Sequence, residues 1–416
     1  MEKFVEVNDR RYTYPTQSAV VICLDGSEPD YIDVAIAEGL MPNLKAMQQS
    51  GTVRTALSAM PSFTNPNNMS IATGRPPSFH GISGNYHFDP ETGEEVMMND
   101  VRFLRSPTIF SEFQQARARV AIVTAKDKLR ALLGAGLNFQ QGTAICFSSE
   151  RADTTTEANN GITNASAWLE SAVPDVYSAA LSEFVLAAGV KLLSEFKPNL
   201  MYLSTTDFIQ HKFAPEEPGA KDFYAMVDSY VGKILQNNVS LLITADHGMK
   251  PKHKENGEPA ILFVQDVLDL WFEVGTTKVI LPITDPYVVH HGALGSFATV
   301  YFLKKVNQEK VIHDLRNTPG IFEVLSREEA VSKYELPGDR IGDITLVSNA
   351  NLTLGTTKSD HDLSLLKEPL RSHGGLSEQS VPFVLNKKID IPAAPVLRNF
   401  DAFFYATRAT TYWRGP

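Results

Sequence analysis

From residue 18 to residue 250, short wholly apolar runs alternate with longer segments of helical periodicity. Ala19–Leu24, Val120–Thr124, Ala144–Ser148, Leu200–Ser204 and Ser240–Thr244 read as strands. Their unbroken apolarity predicts strands covered on both faces, as in a parallel sheet. Between them, Pro29–Glu38, Pro42 to Gly51, Val176–Glu195 and Lys221–Leu235 read as helices. The alternation predicts an α/β fold with a mostly parallel sheet between helix layers.

The pattern changes after about Leu270. Lys278–Pro282, Phe297–Leu303 and Ile321–Leu325 read as short strands, with a helix over Asn307–Thr318. This predicts a smaller inserted α+β cap subdomain at 270–347, with the core formed by 1–269 and 348–416. Val347–Asp362 reads as a return loop. Val381–Leu385 and the aromatic-rich Phe400–Tyr405 complete the core. No internal repeat is present.

Composition narrows the function classes. A chain of 416 residues with 43% hydrophobic content can bury a large core. A net charge of −10 gives no support to nucleic-acid binding, and an anionic substrate must be drawn in by local charge. The two cysteines, Cys23 and Cys146, stand in apolar strand contexts and read as buried thiols of a reducing compartment. The N-terminus has no apolar signal region, and no stretch reaches the length of a membrane span. The expectation is a cytoplasmic protein with no membrane partner. A homo-oligomer is compatible with the sequence, which does not fix the oligomeric state.

The chemistry collects where strands end. The run Ser240–Ala245 stops at Asp246-His247-Gly248, a carboxylate and an imidazole side by side. Open α/β sheets place their sites beyond the carboxyl ends of the strands. Buried charge needs a partner, and a divalent cation is the usual one for such a pair. Asp25 ends the first strand, although alone it reads equally as a turn residue. Asp207 and His211 follow Leu200–Ser204 at a spacing that puts both on one helical face. His373, flanked by Gly374 and Gly375, is a further ligand candidate, carried back to the core by the return loop. His290, His291 and His361 are its rivals. His80, His87, His253 and His313 read as surface or structural residues. Thr64 precedes Pro66 at the start of a predicted helix running towards Gly74, with Asn65 as cap. A hydroxyl there meets free backbone amides and the positive end of the dipole, which suits a nucleophile attacking a phosphoryl group. Simple capping by Thr64 is the plainer alternative.

In this order the segments resemble the alkaline phosphatase superfamily over about residues 18–265 and 350–405. Thr64 in place of serine, and Gly74–Asn85, resemble its nucleotide pyrophosphatase/phosphodiesterase branch. The resemblance implies two Zn2+, with Mn2+ or Fe2+ as substitutes. Asp25, Thr64, Asp246 and His247 would hold one cation; Asp207, His211 and His373 would hold the other. Thr64 would be the nucleophile, and Asn85 would donate to a phosphoryl oxygen. Arg75 is left without a role.

Thr124-Ala125-Lys126-Asp127-Lys128 also lies at a strand end. If the chain stays extended, Lys126 and Lys128 share a side. A lysine pair is ordinarily solvated surface, but here it would neutralise a substrate carboxylate. That feature resembles the phosphonate-cleaving members of the branch. It implies cleavage of the carbon–phosphorus bond of phosphonoacetate, a small anionic phosphonate, through a phosphothreonine. The alternatives are a phosphodiesterase or nucleotide pyrophosphatase using the same metals and, more remotely, a non-catalytic zinc-braced protein. Sulfatases are disfavoured by the absence of a nucleophilic cysteine, and phosphoglycerate mutases by threonine in place of serine.

Overall fold

The computed structural model describes residues 3–283, 293–364 and 366–411. Its centre is a seven-stranded sheet in the order Thr52–Leu57, Ser380–Leu385, Val239–Thr244, Ser18–Cys23, Leu200–Ser204, Val120–Thr124, Ala144–Ser148. The last five are mutually parallel, and Ser380–Leu385 runs antiparallel to both its neighbours. The expected mostly parallel sheet is therefore present.

Side chains alternate between two apolar layers. Val20, Ile22 and Leu24 enter one layer, packed against Pro29–Ala37, Pro42–Ser50, Ala179–Glu195 and Pro218–Leu235. Ala19, Val21 and Cys23 enter the other, with Thr64–Thr73, Ile109–Gln115, Asp127–Leu133 and Ala402–Ala409. Burial of each large aliphatic side chain contributes about 1.5–3 kcal/mol, so these two layers dominate the core energetics. Cys23 and Cys146 are buried free thiols. No helix among the described residues is long and apolar enough to cross a membrane.

A second, four-stranded antiparallel sheet has the order Thr277–Ile280, Phe297–Phe302, Ile344–Ser348, Ile321–Ser326. Its apolar core also takes in Met60 and Phe63, so the second sheet packs directly on the segment that leads into Thr64.

Three expectations are corrected. The helix read from Val176 begins at Ala179, because Asp175 accepts from the Tyr177 amide and its carbonyl from the Ser178 hydroxyl, forming a turn. The helix read from Lys221 begins at Pro218, which suits a first turn whose amides need no partner. The supposed return loop contains the end of Ile344–Ser348 and the strand Thr353–Gly355, which pairs in parallel with Ile261–Phe263.

Candidate active site

Sheet register puts the chemistry in one row. Thr244, Cys23, Ser204, Thr124 and Ser148 are cross-strand neighbours at the carboxyl edge. Asp246, Asp25 and Lys126 each follow two positions later, and Asp207 three. Gly26 permits this convergence: its φ is +70°, and a Cβ there would stand 2.9 Å from the Asp207 Cβ.

The predicted ligands converge, and all but the half-buried Thr64 are buried. Ligand atoms of Asp207, His211 and His373 lie within 4.8 Å of one another, as do those of Asp25, Asp207 and His247. Asp207 thus reaches both groups, where the sequence reading assigned it to one. Asp246 approaches through His247, with Oδ2 3.6 Å from Nε2.

The histidines supply the test of whether a cation fits. His247 Nδ1 stands 3.0 Å from the Gly248 carbonyl, His211 Nδ1 2.9 Å from that of Arg371, and His373 Nδ1 2.8 Å from that of Ser62. A carbonyl only accepts, so each Nδ1 carries the proton. The Nε2 atoms face carboxylates: His211 to Asp207 at 3.0 Å, His247 to Asp25 at 3.3 Å, His373 to Asp207 at 3.7 Å. An imidazole fixed through Nδ1, with Nε2 aimed at a carboxylate, is the arrangement in which a cation held between the two would satisfy both. Asp25 Oδ1 is also buried with no hydrogen-bond partner. Burial pushes the Asp25 carboxyl well above its usual range, and Asp207 and Asp246 push it further. Burial likewise raises Asp246. For Asp207 burial acts upward, but His211, Lys126 and His373 outweigh it and hold the carboxyl well below its usual range. The donor set fits divalent cations.

A cavity of about 80 Å3 opens in front of this cluster, lined by Asp25, Thr64, Asn85, Lys126, Lys128, Asp207, His211 and His373. Asp246 and His247 are fully buried and do not line it. Thr64 Oγ1 is 3.3 Å from His247 Nε2, so the hydroxyl faces the cluster of candidate ligands. Thr64 is itself the first residue of the helix Thr64–Thr73, with Phe63 at the cap; Asn65 is not the cap. The expected fan of free amides is also corrected. Asn65 N–H donates to Asn85 Oδ1 at 3.1 Å, Pro66 has none, and Asn67 N–H donates to Phe63 O. Because that backbone donor fixes Oδ1 of Asn85, its Nδ2 is left as the donor end.

Lys126 and Lys128 meet in the cavity, but not through an extended chain. Lys126 is extended and caps the helix Asp127–Leu133, whose second residue is Lys128. Beyond the lysines lies a wider cavity of about 710 Å3, also walled by Glu150, Arg151 and Tyr177.

His373 is the histidine brought into the cluster. Gly374 beside it has φ +116°, and a Cβ there would stand 2.2 Å from the Phe63 ring, so glycine is required. His361 instead accepts from the Thr356 amide. His290 and His291 lie outside the described residues. His80 is buried and bonded to Ser70, a structural residue. Arg75 donates to the Asn8 carbonyl.

Several contributors were missed. Asn68 Nδ2 donates to Asp246 Oδ2 and to the Thr64 carbonyl, while its Oδ1 accepts from Tyr202 and Ser204. Its spacing of four from Thr64 on one helix was the available signal. The Thr205 hydroxyl accepts from the Asp25 amide. Arg371 braces the Gln210 carbonyl, Tyr31 and the Met249 carbonyl. Met97, Leu129 and Ile283 form the apolar wall. No sequence pattern marked these last five.

Residues 19–376 match the type I phosphodiesterase/nucleotide pyrophosphatase family. Phosphonoacetate hydrolase from Sinorhizobium meliloti 1021, in complex with phosphonoformate, is similar at 60% identity and TM-score 0.96, with 99% of this chain and 100% of that chain covered. The same enzyme in complex with phosphonoacetate gives 59% identity and TM-score 0.96 over the same shares. Murine ectonucleotide pyrophosphatase/phosphodiesterase 5 shares the fold at TM-score 0.64 and 18% identity, over 96% of each chain. An uncharacterised pyrophosphatase/phosphodiesterase of Schizosaccharomyces pombe is 23% identical over 388 residues, 86% of this chain and 68% of that protein.

Proposed function

The chain belongs to the type I phosphodiesterase/nucleotide pyrophosphatase family, within the alkaline phosphatase superfamily, and from that premise we propose that it hydrolyses the carbon–phosphorus bond of phosphonoacetate, giving acetate and phosphate. The observation that carries this reading is the pair Lys126 and Lys128 on the wall of the small cavity that Thr64 and Asn85 also line. Its volume of about 80 Å3 suits a small dianion and falls well below the roughly 300–1,000 Å3 of sites for drug-sized ligands.

We assign one cation to Asp25, Thr64, Asp246 and His247, and the other to Asp207, His211 and His373. Zinc suits the imidazole and carboxylate donors, and manganese or iron could replace it. Bound there, divalent cations would offset the carboxylate charge, lower the pKa of the Thr64 hydroxyl and draw charge off the phosphoryl oxygens.

The chain's own groups account for the rest. Thr64, at the positive end of its helix, is held facing the cluster and forms a bond to phosphorus as the phosphorus–carbon bond breaks. The bonding pair passes to the methylene carbon and into the carboxyl group as an enolate, which Lys126 and Lys128 stabilise. Asn85 Nδ2 donates to a phosphoryl oxygen. The carbon takes up, by way of solvent, the proton that Thr64 gave up, and acetate leaves. Water then cleaves the phosphothreonine, releasing phosphate and restoring the hydroxyl. A carbanion is a poor leaving group without this delocalisation, which is why the lysine pair distinguishes the reading from phosphodiester cleavage.

We place the cap at 270–347. Val264 and Leu268 share its apolar core, which supports a start a few residues earlier. The buried free thiols support a reducing, cytoplasmic setting.

Replacing Lys126 and Lys128 together with alanine tests the carboxylate role. We expect phosphonoacetate turnover to fall by at least about 10²-fold, the scale of losing a preorganised charge-stabilising group, while hydrolysis of an aryl phosphate ester persists. Equal losses on both substrates would exclude it.

A further inference from the structure

The Lys252–Glu378 ion pair is wholly buried and belongs to none of the groups assigned above. Lys252 Nζ donates to Glu378 Oε1 at 2.8 Å and to the Ala350 carbonyl. The other carboxylate oxygen accepts the Gly375 amide at 2.9 Å, two residues beyond His373. The Glu378 backbone carbonyl accepts the Gly248 amide at 2.7 Å, one residue beyond His247. One residue therefore grips the chain next to a ligand of each proposed cation. Those two histidine rings stack with centroids 3.6 Å apart and planes within 5°.

Lys252 is anchored on the same two segments. Its amide donates to the Leu370 carbonyl at 2.8 Å, just before Arg371–Ser372 pairs with Lys250–Pro251. A buried ion pair is seldom more stabilising than apolar side chains of the same volume, so stability alone does not account for it. What an apolar pair cannot do is accept the Gly375 amide.

We infer that Glu378, its buried charge balanced by Lys252, is a positioning residue that holds His373 in register with His247 and so makes the site of the cation on Asp207, His211 and His373. The inference rests on the two-cation reading. Neither side chain touches substrate; the Glu378 carboxylate acts through the Gly375 amide, its backbone carbonyl holds the Gly248 amide, and Lys252 acts through Glu378. Residues that orient metal ligands typically change metal affinity by about 10–100-fold.

Two charge-neutral double variants of the full chain test it. In K252M/E378Q the amide oxygen still accepts from Gly375; in K252M/E378L nothing does. Each metal-stripped protein is titrated with zinc by calorimetry, and folding is followed by thermal melting. We expect the wild type to take up two zinc ions. K252M/E378Q should keep the second affinity within about threefold, and K252M/E378L, still folded, should lose about tenfold or more at the second site only. Equal second-site affinities in the two variants would overturn the inference, as would both ions binding K252M/E378L with wild-type affinity. A wild type that takes up fewer than two ions would instead remove the two-cation reading beneath it.

Discussion

Asn85 lines the cavity and is committed at one end: its oxygen accepts the Asn65 amide, which leaves Nδ2 as its donor end. Removing one preorganised donor to a developing oxyanion typically lowers kcat by about 10²–10³-fold. Asn85→Ala should show a loss of that order, with bound zinc unchanged; steady-state kinetics and metal analysis of the same preparation check it. A kcat within threefold of wild type would deny the side chain its role. At this scale the sequence was most legible where an ionisable side chain ended an apolar run. Asp25, Asp207 and Asp246 could be picked out because a carboxylate has no packing reason to stand at the end of a buried strand. Asn68 and Arg371 could not. Their work is done against Asp246, 178 positions away, and against the carbonyls of Gln210 and Met249. No local pattern records such contacts.

Elements show the same division. Strands at 120–124, 144–148 and 200–204 were readable to the residue, because burial on both faces demands unbroken apolarity. Helix starts shifted where a turn or a proline intervened, as at Ala179 and Pro218. Lys126 and Lys128 reached one cavity by a helix start, not by the extended chain that their spacing suggested. The short helix Pro77–His80 supplies a prediction at this scale. His80 accepts the Ile82 amide at Nδ1, and its Nε2 is 2.9 Å from Ser70 Oγ on the Thr64–Thr73 helix. Burial, assisted by Arg340, lowers its pKa to about 3. The unfolded chain takes up that proton near pH 6.5 and the folded chain does not. The stability from neutral His80 is therefore complete above pH 6.5 and lost as pH falls towards 3, at roughly 1.4 kcal/mol per unit. The stability difference between the wild type and H80Q, from urea midpoints at pH 7.5 and 4.5, should shrink at the lower pH. A constant difference would show that His80 titrates normally.

Across the whole molecule, two sheets with separate apolar cores meet at the segment leading into Thr64, through Met60 and Phe63. The chain bears a net charge of −10, yet its cavity sets Lys126 and Lys128 beside the buried cluster. Together with the cations that the carboxylates would hold, the lysines would supply the local positive charge that a small dianion needs in a protein whose overall field repels one. Composition could say only that local charge was needed; the parallel register, which brings the end of Val120–Thr124 beside that of Leu200–Ser204, says where it lies. The central claim is carbon–phosphorus cleavage with Thr64 as nucleophile. Its most direct test is phosphorus NMR of phosphonoacetate incubated with zinc-reconstituted protein, with acetate measured in parallel, for the wild type and T64A. The account predicts that the wild type converts the phosphonate resonance to inorganic phosphate with one acetate per phosphate, while T64A, still holding zinc, is slower by about 10⁴-fold or more. An unchanged phosphonate resonance under wild-type protein that cleaves an aryl phosphodiester would contradict it.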